Sequence, residues 1–363
     1  MNKIITAECD IWQYLQNCGK KIVMYGMGNG ADKILAICQE KNIEISDFFA
    51  SDGFVRGHSF HGKRVLSFNE IKEKYTDFIV LLSFATSLPD VLEKIDLIGA
   101  EAELLVPDVP VFGNTLFDME LCKEHSDDIE RTYELFCDDE SRRIYSLVIN
   151  AKLTGKTEYL KQSVSDKNEV FNQILSPKEY TAYADLGAYN GDTIRELSQY
   201  AANLKEVYAL EPDKKTFNKL AMYAESENRF KISAYNYAAW NKNDILCFDN
   251  SGNRNSKVSE SFATLSRKKP IEISAIRLDE LLCGKKVDYI KYDVEGSERE
   301  ALSGSEKTIK AYSPDLLVSL YHRSEDIFSL PKFVNDLGKY KLYLRRFRYY
   351  PAWDLNLYAI GDV

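Results

Sequence analysis

The stretch YADLGAYNGDT, residues 183–193, decides the fold expected for the C-terminal half of the chain. An apolar run leads into it and the helical run TIRELSQY follows, so Gly187 and Gly191 are expected in a tight strand-to-helix turn. Glycine lacks a Cβ and lets the backbone bend sharply and lie against a ligand. The next apolar run, VYALEP, ends in Glu211, where a carboxylate could accept both hydroxyl hydrogens of a ribose. Together the turn and Glu211 predict a nucleoside site at the carboxyl ends of two strands.

The spacing of this turn indicates what kind of ligand it holds. Asp-x-Gly-x-x-x-Gly differs from the GxGxxG of dinucleotide sites. Asp185 would lie beside a bound pyrophosphate, which is unfavourable for two like charges. A carboxylate there suits a ligand that carries a cation, such as the amino acid end of S-adenosylmethionine. The turn therefore predicts a methyl-donor site, with Thr193 as the helix N-cap; a glycine-capped turn without a ligand is the alternative.

The apolar pattern divides the chain into three zones. Residues 1–112 alternate β-rich and helical runs, which predicts a smaller Rossmann-like α/β domain. Residues 113–180 include the long amphipathic run DIERTYELFCDDESRRIYSLVINAKLTG and are expected to form a helical connector. Residues 181–363 resume the alternation as the methyl-donor domain. Its last two strands, YKLYLRRF and LNLYAI, are too close in sequence for a crossover helix and are expected to be antiparallel neighbours.

Four ordered motifs, DLGAYNGDT, VYALEPDKKTFNKL, NYAAWNKND and VDYIKYDVEGSEREALSG, resemble the FkbM-type family of S-adenosylmethionine-dependent methyltransferases over residues 180–362. The resemblance implies a class I methyltransferase fold, an α/β architecture with a mostly parallel seven-stranded sheet whose last strand is antiparallel. The donor-site residues that it implies, from the methionine end through the ribose to the adenine, are Asp185, Gly187, Ala188, Tyr189, Gly191, Asp192, Thr193, Glu211, Asn236 and Ala238. Tyr189 is a departure, because many members have asparagine there.

The methyl acceptor is expected at the carboxyl ends of the strands, where VDYIKYD ends in Asp293 and LLVSLYH ends in His322. Transfer to a hydroxyl requires alignment of the oxygen and removal of its proton. His322 is the favoured base because histidine titrates near neutrality and this domain has no other histidine. Asp293 is the alternative base, and Glu295 is expected to contact the acceptor. The predicted site contains no metal, although these three side chains could instead meet at one divalent ion.

The segment LYLRRFRYYPAW, residues 342–353, joins the last two strands at the same edge of the sheet. Its arginines, Arg346 and Arg348 in particular, are expected to bind a phosphate or carboxylate on the acceptor. Trp353 offers a ring face for a sugar. An ordinary solvated strand end is the alternative, since alternating strand side chains cannot all point one way.

A second glycine-rich turn, VMYGMGNGAD at 23–32, matches GxGxx(G/A) between a strand and a helix. A second nucleotide site could therefore involve Gly26, Gly28, Ala31 and Asp52. The domain could equally present the acceptor or be purely structural. The chain has no YxxxK pair, which disfavours an NAD-dependent oxidoreductase of the short-chain dehydrogenase type.

Composition narrows the partners and the compartment. A formal net charge of −9 argues against a nucleic-acid partner, and no run approaches the ~20 apolar residues of a membrane span. The seven cysteines are scattered without CxxC spacing, which predicts reduced thiols in a cytoplasmic protein. The expected function is O-methylation of a sugar, glycan precursor or small polar metabolite. A donor-binding sensor without turnover is the alternative, and the connector could pair with a second copy of the chain as a homodimer.

Overall fold

The computed structural model describes residues 3–55, 57–249, 257–258 and 271–361. It contains two open α/β sheets joined by a helical segment, which confirms the fold class expected from the sequence. No helix among these residues combines the length and apolar content needed to cross a bilayer.

The N-terminal domain is built on a six-stranded sheet of order β3-β4-β2-β1-β5-β6. Its strands are parallel except for the β3–β4 hairpin. The strands are β1 (Lys21–Tyr25), β2 (Asp47–Phe49), β3 (Ser59–Phe60), β4 (Lys63–Leu66), β5 (Phe78–Leu82) and β6 (Glu103–Leu105). The helices are α1 (Ile11–Asn17), α2 (Asn29–Glu40), α3 (Phe68–Lys74) and α4 (Pro89–Glu101), with a 3₁₀ turn at Asp52–Phe54. Every residue of β1 after Lys21, and all of β5, is buried, as expected for a sheet covered on both faces.

The connector is helical, but its long run is broken into separate helices. They are α5 (Met119–Glu124), α6 (Ser126–Leu135), α7 (Asp139–Thr154), α8 (Thr157–Gln162) and α9 (Lys167–Glu169), followed by a π-helical turn at Val170–Ile174 and a 3₁₀ turn at Pro177–Glu179. The break at residues 136–138 occurs where the Cys137 backbone N–H donates to Leu342 O at 2.9 Å and Asp138 caps α7. A contact with a distant strand therefore ends the helix.

The C-terminal domain has a seven-stranded sheet of order β16-β17-β15-β14-β7-β8-β9. The main strands are β7 (Ala182–Leu186), β8 (Glu206–Leu210), β9 (Lys231–Tyr235), β14 (Tyr289–Tyr292), β15 (Asp315–Ser319), β16 (Tyr340–Arg346) and β17 (Leu355–Gly361). Strand β17 is antiparallel to both β15 and β16, which confirms the expected hairpin and the antiparallel last strand. The remaining five strands run parallel, so their carboxyl ends lie at one edge.

Shorter elements complete this domain. A small side sheet has the order β10-β13-β11-β12, formed by β10 (Ala238–Ala239), β11 (Asp244–Asp249), β12 (Lys257–Val258) and β13 (Ile271–Ile276). The helices are α10 (Asp192–Leu197), α11 (Lys214–Ser226), α12 (Leu278–Leu282), α13 (Glu298–Ser303), α14 (Glu306–Tyr312) and α15 (Asp326–Leu337).

The segment between the two domains touches the carboxyl edge of the C-terminal sheet. The Phe112 backbone N–H donates to His322 O at 2.9 Å, and the Phe112 side chain fills the space where a Cβ on Gly296 would lie. Thr86, after β5, pairs with Tyr350 in the β16–β17 loop. The N-terminal domain thus helps to hold the loops in which the acceptor site is expected.

Candidate active site

The glycine turn after β7 is fixed by the neighbouring strand ends. The backbone N–H groups of Gly187 and Ala188 both donate to Leu210 O, at 3.0 and 2.9 Å. Gly187 has φ +85°, and a Cβ there would lie 1.9 Å from Asp293 O. Gly191 has φ +83°, and its Cβ would meet the Tyr223 ring at 2.5 Å. Glycine is therefore required at both positions by sterics as well as by conformation.

Asp185 lies beneath this turn and is already paired. Its fully buried carboxylate accepts from the Thr193 hydroxyl at 2.6 Å and from Lys291 Nζ at 3.3 Å. Asp185 therefore supports the turn from beneath, and its direct contact with a ligand cation stays a prediction. The expected Thr193 N-cap is also wrong, because α10 begins at Asp192 with Gly191 as its N-cap.

Lys291 is the buried cation at the centre of the site. Its Nζ also donates to Gly187 O at 3.1 Å and lies 3.5 Å from Asp293 Oδ2. Burial alone would lower the pKa of this ammonium, but Asp185 and Asp293 outweigh that effect and raise the pKa above its usual value. The protonated lysine therefore links the turn after β7 to the end of β14.

Glu211 lies at the end of β8, beside the same turn, and is 7% exposed. Its Oε2 accepts from the Tyr189 backbone N–H at 2.9 Å and its Oε1 from the Asp213 N–H at 2.8 Å. Burial raises its pKa to about 7, although the two N–H groups oppose that shift. Each oxygen retains a second lone pair for a ligand hydroxyl.

The remaining residues expected at the donor site surround Glu211 less directly. Asn236 Nδ2 donates to Glu211 O and Pro212 O, at 2.8 and 2.9 Å, so its amide braces the strand end. Ala238 is buried in β10. Tyr189 has φ +48° and its side chain is exposed. These positions outline the edge along which an adenine was expected.

Asp293 and His322 come together after β14 and β15, as their strand-end positions predict. His322 Nε2 lies 3.6 Å from Asp293 Oδ1 and 3.6 Å from Glu295 Oε2. On its other side, Nδ1 lies 2.8 Å from Glu298 Oε1. Burial lowers the pKa of the imidazole, but the carboxylates of Glu298, Glu295 and Asp293 outweigh it and raise the pKa to about 10.

Asp293 is the member of this cluster that faces a cleft. Its side chain is 31% exposed, whereas that of His322 is 1% exposed and lies behind it. Tyr321 fixes Asp293 by donating to Oδ1 at 3.0 Å. The cleft, of about 410 Å³, extends from the start of α10 to the β16–β17 loop. Its lining combines polar and aromatic side chains, among them Asp192, Phe171, Phe347, Asp354 and Asn356.

Comparison with known proteins identifies the domain that carries this site. Residues 185–349 match the family profile described as the methyltransferase FkbM domain. The chain carries an FkbM methyltransferase domain. Residues 18–103 match a second profile, described as C2185-like, N-terminal. No curated protein matched the sequence.

One solved structure shows the same fold over nearly the whole chain. The methyltransferase FkbM of Methylobacillus flagellatus KT superposes with a TM-score of 0.70 at 18% identity, covering 98% of this chain and 92% of that chain. The fibrillarin of Aeropyrum pernix, crystallised with S-adenosyl-L-methionine, matches with a TM-score of 0.33 at 13% identity over 51% of this chain and 69% of its own. An rRNA methylase from Streptococcus thermophilus matches with a TM-score of 0.33 at 11% identity, over 57% of this chain and 93% of its own.

The arginines expected to bind the acceptor are directed elsewhere in the FkbM domain. Arg346 is fully buried and donates to Leu160 O at 2.8 Å, and also to the Tyr349 carbonyl. Arg348 pairs on the surface with Asp96 of the N-terminal domain, at 2.7 Å. The expected role of Arg346 is therefore contradicted, because its buried guanidinium binds backbone carbonyls, whereas a surface ion pair leaves the expected role of Arg348 a prediction.

Trp353 lies near Tyr321, on the side of the FkbM domain where the acceptor was expected. Its half-buried ring is stacked 6.0 Å from that of Tyr321, which in turn holds Asp293. Glu295 has φ +56° and a 49% exposed side chain, so it reaches the solvent-facing side of the His322 cluster. Although half of the side chain is exposed, desolvation of its carboxyl group against the cluster, with the nearby Asp293 and Glu298 carboxylates, raises its pKa to about 7.

The N-terminal glycine turn is packed mostly against its own domain. A Cβ on Gly26 would meet the Phe84 ring at 2.6 Å, and one on Gly30 would meet Ser83 O at 2.2 Å. Gly28 has φ +121° with nothing within 4 Å of its Cβ position, and Ala31 is fully buried. The side chain of Asp52 lies outside the described part of the structure. A nucleotide at this turn stays a prediction.

Three residues of the FkbM site were missed in the sequence. Lys291 carries a signal, because a charged residue within the apolar run of a central parallel strand needs a buried partner. Glu298 lies in the DVEGSE stretch, three residues after Glu295, and begins α13. Tyr321 has no such signal in the sequence, because its hydrogen bond to Asp293 depends on how two loops meet.

Proposed function

We propose that the FkbM domain transfers a methyl group from S-adenosylmethionine to a hydroxyl group of a sugar, glycan precursor or other small polar metabolite. The observation that carries the proposal is Glu211, a buried carboxylate at a strand end beside a turn in which two glycines have positive φ. A buried carboxylate is costly unless it is paired, and its two backbone N–H partners leave two acceptor positions for a diol.

The turn and Glu211 together fit the donor. Gly187 and Gly191 keep side chains away from the turn, and Glu211 would hold the ribose. Asp185 and Lys291 stabilise the turn from beneath, and Asp192 lies exposed at the start of α10 beside the methionine end. When bound, S-adenosylmethionine supplies an electrophilic methyl group on a sulfonium.

In this proposal Asp293 acts on the acceptor. Its carboxylate reaches the cleft, and Tyr321 and Lys291 fix its orientation. In the transfer, the acceptor oxygen bonds to the methyl carbon as the carbon–sulfur bond breaks, and the hydroxyl proton passes to the Asp293 carboxylate. His322 supports Asp293 from behind, so the role of base passes to the carboxylate.

The lining of the cleft supports a polar acceptor with ring faces. Asp354 and Asn356 offer hydrogen-bond acceptors or donors, and Phe171 and Phe347 offer apolar faces on which a pyranose could lie. A volume of about 410 Å³ accommodates a small molecule or a terminal sugar.

Calorimetric titration with S-adenosylmethionine tests the donor site. Glu211→Gln keeps the shape but removes the charge, and we expect it to lose about 1.5–3 kcal/mol of binding free energy. Glu206→Gln is the matched control, because Glu206 begins the same strand at the opposite edge of the sheet. Equal donor affinity in the wild type and Glu211→Gln would refute the assignment. Mass spectrometry of sugars and glycan precursors incubated with enzyme and donor then tests the transfer, and donor binding without any methylated product would favour a sensor.

A further inference from the structure

The cluster behind Asp293 contains a buried histidine, His322, whose Nε2 has no hydrogen-bond partner in the described structure. Its Nδ1 lies 2.8 Å from Glu298 Oε1, and the other oxygen of Glu298, Oε2, is also unpartnered. Both side chains are 1% exposed. Unsatisfied buried polar atoms are rare in native structures, because each costs free energy. Two such side chains at one point indicate that something else binds there.

Distances around Nε2 are slightly longer than those between ligands of one metal ion. The 3.6 Å gaps to Asp293 Oδ1 and Glu295 Oε2 are too long for hydrogen bonds. Two ligand atoms that each lie about 2.1 Å from one ion are about 3.0 Å apart at a right angle and about 3.4 Å apart at the tetrahedral angle. The ligand atoms of Asp293, Glu298 and His322 all lie within 4.8 Å of one another, and an inward rotation of the half-exposed Glu295 side chain would add its carboxylate to them.

Glu298 provides the support that a metal-bound histidine usually has. Its Oε1 lies 2.8 Å from Nδ1, the ring nitrogen that does not face the other carboxylates. Backbone N–H groups of Val294 and Gly296 donate to the same oxygen, at 2.9 and 3.4 Å, and fix it. A carboxylate on the second nitrogen orients the ring and strengthens it as a ligand.

The charges of the cluster also favour a cation. Three carboxylates, those of Asp293, Glu295 and Glu298, surround one imidazole. The nearby ammonium of Lys291 faces Asp293 from the other side and is shared with Asp185. The negative charge is therefore in excess around Nε2.

We propose that His322 Nε2, Asp293 and Glu295 bind one divalent cation, with Glu298 as the residue that orients the imidazole. The ligand set of one nitrogen and two carboxylate oxygens suits Mn²⁺ and similar first-row ions. Asp293 and Glu295 are both partly exposed, so the open side of the ion faces the solvent, where oxygen atoms of the acceptor could complete its coordination. That role of the ion rests on the proposed function, but the binding of the ion does not.

Electron paramagnetic resonance with Mn²⁺ tests the site on the full chain after removal of metals with a chelator. We expect one Mn²⁺ per chain to lose the signal of the free ion, without donor or acceptor present. Glu295→Gln, at a half-exposed position that should not disturb folding, should weaken binding at least about tenfold, and Glu298→Gln should weaken it about ten- to a hundredfold.

His61→Ala is the matched control, because His61 also contacts a carboxylate, Asp32 at 2.8 Å, but on the surface and without a second acid on the ring. This variant should bind Mn²⁺ like the wild type. Absence of binding in the wild type, or undiminished binding in Glu295→Gln, would overturn the proposal and leave a protonated His322 as the counter-ion of the cluster. Because no methyl transfer is measured, the result is independent of whether the proposed function holds.

Discussion

The raised pKa of Glu211 predicts that donor binding depends on pH. Burial places this pKa at about 7, well above that of an exposed glutamate. Because the folded carboxyl binds its proton more tightly than the unfolded one, its contribution to the free energy of unfolding falls as pH rises from about 4.5 to about 7. The ionised form, which is the better acceptor for two ribose hydroxyls, is fully present only above that range.

The size of the effect follows from the ionised fraction. At pH 8 about nine in ten Glu211 side chains are ionised, and at pH 6 about one in ten. If the donor binds the ionised form, its dissociation constant should rise about tenfold over that interval, or about 1.4 kcal/mol. At pH 7 about half a proton should leave Glu211 for each donor bound.

Calorimetry in buffers of different ionisation enthalpy measures both quantities, the affinity and the protons released. Glu211→Gln is the control, because the glutamine cannot titrate. Any pH dependence that remains in this variant comes from the amino and carboxyl groups of the donor itself. We expect weaker and nearly pH-independent binding by this variant. A wild-type affinity that stays flat from pH 6 to pH 8, or the same slope in Glu211→Gln, would refute the assignment of the ribose contact.

Three further predictions concern packing and the corrected residues. Gly187→Ala should lower the melting temperature and the donor affinity more than Gly284→Ala does. A positive φ costs about 1–2 kcal/mol at both positions, but only at Gly187 would the new Cβ also meet a backbone carbonyl. Equal shifts in melting temperature would contradict this. Lys152→Met leaves the buried Asp108 carboxylate unpaired and should lower the free energy of unfolding, measured in urea, by about 3–5 kcal/mol. The double variant with Asp108→Leu should recover most of that free energy. Arg348→Ala should change stability by less than about 1 kcal/mol and leave the KM for the acceptor unchanged, whereas a raised KM would restore its role in binding.

The fold could be predicted from the sequence where the signals are local. The end of the apolar run before Gly187, the turn and the start of the following helix lie within eleven residues, and the short link between the last two strands forces them to be antiparallel. Asp293 and His322 could be placed together because parallel strands end at one edge of a sheet. No distance between residues far apart in the sequence was needed for these predictions.

The directions of the arginines could not be predicted in this way. Arg345 and Arg346 follow one another on β16, so their side chains point to opposite faces, yet both are buried by the connector. Arg345 pairs with Asp138 and Glu169, more than 170 positions earlier in the chain. Only the packing of the connector against β16 decides that these guanidinium groups serve the fold rather than the acceptor.

Asp293 explains why the donor and acceptor sides of the site should respond together. Its carbonyl lies so close to the turn after β7 that only glycine fits at position 187. Its carboxylate faces Lys291, which also holds Gly187 O, and on the other side it faces Tyr321 and His322. A displacement of the donor turn must therefore move the carboxylate that reaches the cleft. For this reason Gly187→Ala should lower turnover at saturating donor as well as donor affinity, whereas Glu211→Gln should lower donor affinity alone. Measuring kcat and the KM for the donor in one assay separates the two effects.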